Sequence, residues 1–143
     1  MADRDFSAVV SAIKQAPETR TGHQEVLHAV VSAIAANDMK ALEPYFTEDV
    51  ELHIHGFAPI DGSWSGRANV TAAATRNFQK LAQQQPRIET MVDQSDHVVW
   101  LLIESGYLKE TGQRYEARGV IWWTFAGTQI RRVEEFIHAT SPT

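Results

Sequence analysis

Apolar positions along the chain first recur at a helical period and later at a period of two. Phe6, Val9, Val10 and Ile13 predict a short amphipathic helix over residues 5–16, ended by Pro17. Thr21-Gly22-His23-Gln24 has the form of a capping box, in which Thr21 and Gln24 satisfy free amide groups reciprocally. The helix it opens carries Val26, Val30, Ala33 and Ile34 on one stripe, widened by Leu27 and Val31, and Asn37-Asp38 breaks it. A short helix from Met39 to Phe46 follows, with Pro44 tolerated only near the first turns or as a kink. Gly66 can cap a longer helix from Arg67 to about Gln84, with Val70, Ala74, Phe78 and Leu81 inward and Pro86 ending it.

The strands read by alternation. Thr47-Glu48-Asp49 is a turn into Val50–His55, where Val50, Leu52 and Ile54 share one face and Glu51, His53 and His55 the other. Gly56 to Gly66 is a Gly-, Pro- and Ser-rich loop with Trp64 on a very short strand. Ile88–Asp93, Val98–Leu108 and Tyr115–Phe125 are strands, separated by turns at Gln94-Ser95-Asp96 and Glu110-Thr111-Gly112. Gly119 to Phe125 is the most strongly β-forming stretch, and Ala126-Gly127-Thr128 turns it into a partner run, Gln129 to Ala139. In that run Arg131, Val133, Glu135 and Ile137 alternate with Ile130, Arg132, Glu134, Phe136 and His138, so each face mixes apolar and charged residues. Helices first and an antiparallel meander after them predict an α+β fold. Helices gathered on the concave face of a curved sheet would make a cone with a pocket inside. No repeat, linker or low-complexity tract interrupts the chain, so residues 1–143 read as one domain.

Composition narrows the partners. At 143 residues and 43% hydrophobic content, the chain has enough core to fold alone. Its net charge of −5, with no basic run, argues against nucleic acid and acidic membranes. The absence of cysteine removes thiol catalysis, disulfides and thiolate metal sites, and fits a cytoplasmic location. Met1-Ala2-Asp3-Arg4-Asp5 lacks the basic start and apolar run of a signal peptide. The longest apolar run, Val98 to Ile103, is far short of the ~20 residues of a membrane span.

Several short motifs, in order, carry a resemblance. They are Ala33-Ile34-Ala35-Ala36-Asn37-Asp38, Tyr45-Phe46-Thr47-Glu48-Asp49-Val50-Glu51-Leu52-His53, Gly62-Ser63-Trp64-Ser65-Gly66-Arg67, Thr111-Gly112-Gln113-Arg114-Tyr115, and Gly127 through Phe136. Over residues 23–139 the chain resembles the nuclear transport factor 2-like superfamily, in the style of its SnoaL-like and ketosteroid-isomerase-like members. The resemblance implies the cone fold, a pocket in its concavity and commonly a homodimer through the sheet. Carried over by position, the steroid isomerases' general base falls on Ile54, and their two oxyanion donors fall on Val30 and Ile121. Aliphatic side chains can neither take a proton nor donate a hydrogen bond, so this is not a steroid isomerase of that kind. Of the groups used by limonene epoxide hydrolase, the water-holding pair falls on Leu52 and Ile54 and the arginine on Leu102. Its two carboxylates fall on Glu104 and Glu135.

Three constellations are candidates for function. Glu104 and Glu135 form a potential acid pair: two carboxylates in an apolar cavity cannot both ionise cheaply, which separates acid and base roles. The plain alternative is that they are exposed at sheet edges or paired with Arg118, Arg131 or Arg132. His53 and His55 lie ~6.6 Å apart along one strand face and could begin a metal site. They oppose the apolar face, however, so no metal is expected, and no cofactor. His138 stands where many relatives carry an aspartate and is a candidate second proton carrier. Among the aromatics, core packing is the default and the pocket takes two or three. His23, His28 and His97 read as solvated.

The combined reading is a small-molecule enzyme of isomerase, cyclase or dehydratase type, moving a proton on a small apolar substrate. Glu135, Glu104 and His138 are its candidate catalytic residues. Leu52, Ile54, Trp64, Phe78, Trp100, Tyr115, Ile121 and Trp123 are its candidate substrate walls. The competing reading is a non-catalytic ligand-binding or dimerisation domain of the same fold. A homodimer is expected through Arg118, Val120 and Trp122.

Overall fold

The computed structural model describes residues 4–16 and 22–140 of the chain. Within them α1 (Ser7–Gln15), α2 (His23–Ala35), a 3₁₀ helix (Met39–Tyr45) and α3 (Arg67–Gln79) pack against one open six-stranded sheet. Its strands are β1 (Phe46–His55), β2 (Gly62–Ser65), β3 (Leu81–Gln94), β4 (His97–Leu108), β5 (Arg114–Ala126) and β6 (Gln129–Thr140), in the order β2-β1-β6-β5-β4-β3. Only β1 and β6 run parallel; the other neighbours are antiparallel. The α+β architecture expected from the pattern is the one found.

Alternation decides which face is buried. Val50, Leu52 and Ile54 on β1, Val98 and Trp100 on β4, and Tyr115, Ala117, Trp123 and Phe125 on β5 join the core under the helices. One row of side chains crosses four strands: Trp100 pairs with Ile121, Ile121 with Glu135, and Glu135 with Ile54. On β6 the parity breaks. A register shift between Thr124 and Phe125 lets both Ile130 and Val133 turn inward, and Arg131, expected on the same face as Val133, is exposed. Bulges of this kind re-aim side chains near functional sites.

Three expected boundaries move. Thr47-Glu48-Asp49 is part of β1, which begins at Phe46, and an irregularity in its pairing with β6 absorbs the acidic residues. The long helix ends at Gln79, because Leu81 to Gln94 pair along β4. Residues 82–85 suit a helix by propensity, but the ladder to β4 overrides it. Pro86 lies inside β3, which is an edge strand, where a missing N–H is tolerated. At the start, α1 begins at Ser7, whose N–H and hydroxyl both donate to Asp5 Oδ1 at 3.0 and 2.6 Å. Thr21 and Pro17 lie outside the described residues. Gln24 does not reach back as a capping box requires; its amide donates to Asp93 at 2.9 Å.

Candidate functional site

Between the sheet and the helices lies a cavity of about 160 Å³. A cavity of this size holds a single aromatic ring. Leu52, Ile54, Phe78, Trp100, Ile121 and Trp123 line it, as do Glu104 and Glu135. The sheet supplies both acids from inward positions: Glu104 from β4 beyond Trp100 and Leu102, Glu135 from β6 between Val133 and Ile137. Arg118 stands at the lining with its side chain largely exposed, and its guanidinium bonds Glu89 at 2.7 Å.

The two acids differ in their partners. Glu104 accepts the Tyr115 hydroxyl at 2.6 Å and the Gln84 amide at 3.0 Å. Burial raises the Glu104 carboxyl above its usual range, and these two hydrogen bonds pull it back. Glu135 has no hydrogen-bond or ion-pair partner among the described residues. Burial, and then the charge of Glu104, push its carboxyl up to about 7. Tyr115 is raised beyond the tyrosine range by burial and by the Glu104 charge, so it stays protonated and donates.

The remaining expected residues fall elsewhere. Tyr115 does not line the cavity; it is fully buried behind Glu104 and against Phe57. Trp64 does not line it either: it pairs with Leu52 across β2 and β1, and Arg76 lies over its ring at 5.7 Å. His138 is exposed opposite Arg118, on the sheet face away from Glu135, because neighbouring strand positions alternate. His53 bonds Ser63 at 2.8 Å and Glu51 at 3.0 Å, and His55 bonds Glu134 at 3.1 Å while stacking on Phe136. Among the described residues no three His, Asp or Glu side chains converge to hold a metal ion. His23 is not solvated: it is 3% exposed, stacked on Phe125 at 3.9 Å and set against Asp93.

Sequence reasoning missed several contributors. Phe6, just before α1, and Val9 of α1 close the cavity on the helical side, and Gln84 enters it from β3. The apolar period of α1 signals that Phe6 and Val9 are buried, though not what they cover. Counting back in twos from Ile88 points to Gln84, but the helix expected to run to about Gln84 hides it.

The chain belongs to the SnoaL-like domain family, whose model matches residues 27–133. No curated protein sequence matches it. Among solved structures it is similar to a nuclear transport factor 2-like protein from Burkholderia xenovorans, at 20% identity and TM-score 0.71, covering 85% of this chain and 92% of that one. It is similar to another from Burkholderia thailandensis, at 20% identity and TM-score 0.70, covering 83% and 92%. A third is a protein of ketosteroid isomerase-like fold from Catenulispora acidiphila, determined in complex with trimethylamine. That likeness has 17% identity and TM-score 0.67, covering 80% and 85%. These likenesses establish the fold.

Proposed function

We propose that the protein is a cofactor-independent enzyme that moves a proton on a small apolar molecule held in the cavity. The observation that carries this is Glu135: an unpartnered carboxylate, set in an apolar cavity, with its proton leaving near neutral pH. A general base works best when its pKa lies near the operating pH. Glu104 is its electrostatic partner, and the walls supplied by Trp100, Trp123, Ile121, Ile54, Leu52 and Phe78 favour a flat apolar substrate. His138 has no part in the step from its exposed position. The described helices include none long and apolar enough to cross a membrane. We take the protein to work in the cytoplasm, as a homodimer.

The test can be run before any substrate is identified. Compact C–H acids, such as small cyclic ketones with and without an amine, are incubated with the protein in D₂O, and deuterium uptake is followed by mass spectrometry. Uptake above the buffer rate on some member is expected, falling ~10²–10⁴-fold in Glu135→Gln. Uptake unchanged by that substitution overturns the reading. Saturable binding with no exchange on any member supports a ligand-binding domain. That second reading is favoured by one observation: Leu52, Ile54 and Ile121, the positions to which the resemblance carries reacting groups, are apolar and line the cavity.

A further inference from the structure

Near its start β3 carries one residue more than β4 opposite it. Ala82 pairs with Tyr107 and Gln85 with Ser105, so three steps on β3 face two on β4. The extra residue is accommodated at Gln83, whose φ of +50° is left-handed, a conformation that a non-glycine side chain adopts only under strain. The consequence is that Leu81 and Gln84, three positions apart, both face inward. Gln83 and Gln85 are exposed, and Gln84 between them is 5% exposed with its amide on Glu104 Oε1 at 3.0 Å. The main chain fixes this geometry from outside: the Gln84 carbonyl accepts the Asp5 N–H at 2.6 Å, and Arg4 bridges to Gln84 in parallel.

We propose that Gln84 is a positioning residue, set inward two places before Pro86, that keeps Glu104 the ionised acid of the cavity and leaves Glu135 to carry the proton. Glu104 receives two donors, Tyr115 from β5 and Gln84 from β3, while Glu135 on β6 receives none among the described residues. Hydrogen bonds to a carboxylate favour its charged form. Other ionisable groups around the outer side of Glu104 are Arg118, drawn outward to Glu89, Arg114, paired with Glu116, Asp5, held by Ser7, and Arg87 and His138. The helical side offers the neutral Asn77. Gln84 shares the inward face of Pro86, which pairs with Glu104, and the extra residue at Gln83 lets Leu81 turn inward as well. The inference rests on the reading of Glu135 as proton carrier, but its test does not require turnover.

The test is a pH titration of the side-chain carboxyls by ¹³C NMR, with Glu104→Gln and Glu135→Gln used to assign the two signals. In the native protein Glu135 is expected to titrate above Glu104; the reverse order overturns the proposal. Gln84→Met keeps the length and removes the donor. It should raise the Glu104 midpoint by about one pH unit and lower that of Glu135, because a protonated Glu104 no longer repels it. Unmoved midpoints in Gln84→Met overturn the proposal. The proton-transfer reading fails separately, if deuterium exchange is indifferent to Glu135→Gln while the midpoints behave as stated.

Discussion

Tyr115 donates its hydroxyl to Glu104 at 2.6 Å from a position directly opposite Gly106 on the neighbouring strand. A Cβ at residue 106 would lie 2.7 Å from the tyrosine oxygen and 2.8 Å from the ring. No ordinary contact is that short, so the glycine is what lets the ring lie across β4 and reach the acid. The requirement is space, since Gly106 has no left-handed φ.

This relationship makes a prediction. Tyr115→Phe removes one donor from a buried carboxylate and should cost about 1–3 kcal/mol. The loss should be larger at pH 8 than at pH 5, because at pH 5 a more easily protonated Glu104 avoids the unpaired charge. Gly106→Ala should mimic it by displacing the ring. Chemical denaturation of the three proteins at both pH values checks this; equal losses at the two values would mean that the hydroxyl does not favour the charged form of Glu104.

The alternating strands make most of the fold legible. Leu52, Ile54, Trp100, Ile121 and Trp123 can be assigned to one face because a period of two leaves a side chain no other choice. The same rule puts Glu104 and Glu135 on that face. What alternation cannot show is where it breaks. The extra residue at Gln83 and the shift beside Phe125 are tertiary events, fixed by pairing across strands distant in sequence. Tyr115 is legible as inward, but its service to Glu104 depends on Gly106, which lies on the other side of a turn. His23 reads as solvated because a helix start is usually exposed. Phe125 and Asp93, from two different strands, bury it.

Glu135 gives a pH signature in folding itself. Its carboxyl titrates near 7 in the folded chain, against about 4.3 for an unperturbed glutamate. The folded state therefore holds a proton that the unfolded state has released between those values. Stability contributed by this group is lost as pH rises through that window, and the deficit is complete above it. Glu135→Gln removes the deficit, by up to about 4 kcal/mol from a shift of this size. It should raise the melting temperature at pH 8 and have little effect at pH 4. Equal shifts at both values would show the carboxylate to be solvated.

Helix α1 lies outside the matched family region, yet Phe6 and Val9 line the cavity. Phe6 meets Phe78 edge-on with centroids 6.1 Å apart, and Arg4 lies over the same Phe78 ring at 5.0 Å. Phe6→Ala should destabilise by about 3–5 kcal/mol, the usual cost of such a truncation. It should also enlarge the space, so that a ligand one ring larger binds. Titration of tryptophan fluorescence, with Trp100 and Trp123 as reporters, would measure this. Unchanged size selectivity would place the limit on the sheet side.

The outer sheet face predicts self-association. Val92, Val99 and Trp122 form one row across β3, β4 and β5, and Leu101, Val120 and Phe136 form the next across β4, β5 and β6. Val92, Trp122 and Phe136 are 49%, 43% and 49% exposed. Adjacent apolar rows of this kind on one sheet face are unusual on a monomer. The polar groups beside them are already engaged: Trp122 donates to His97 at 2.9 Å, and His55 stacks on Phe136 at 4.9 Å. A second copy laid on these rows would bury the apolar surface without stranding those donors. Sedimentation at micromolar concentration should give twice the 16.0 kDa chain mass, with a melting temperature that rises with concentration. Trp122→Glu with Phe136→Glu places two charges in the contact and should give a folded monomer. A native protein that sediments at the chain mass, with a melting temperature independent of concentration, would show that this face is left to solvent.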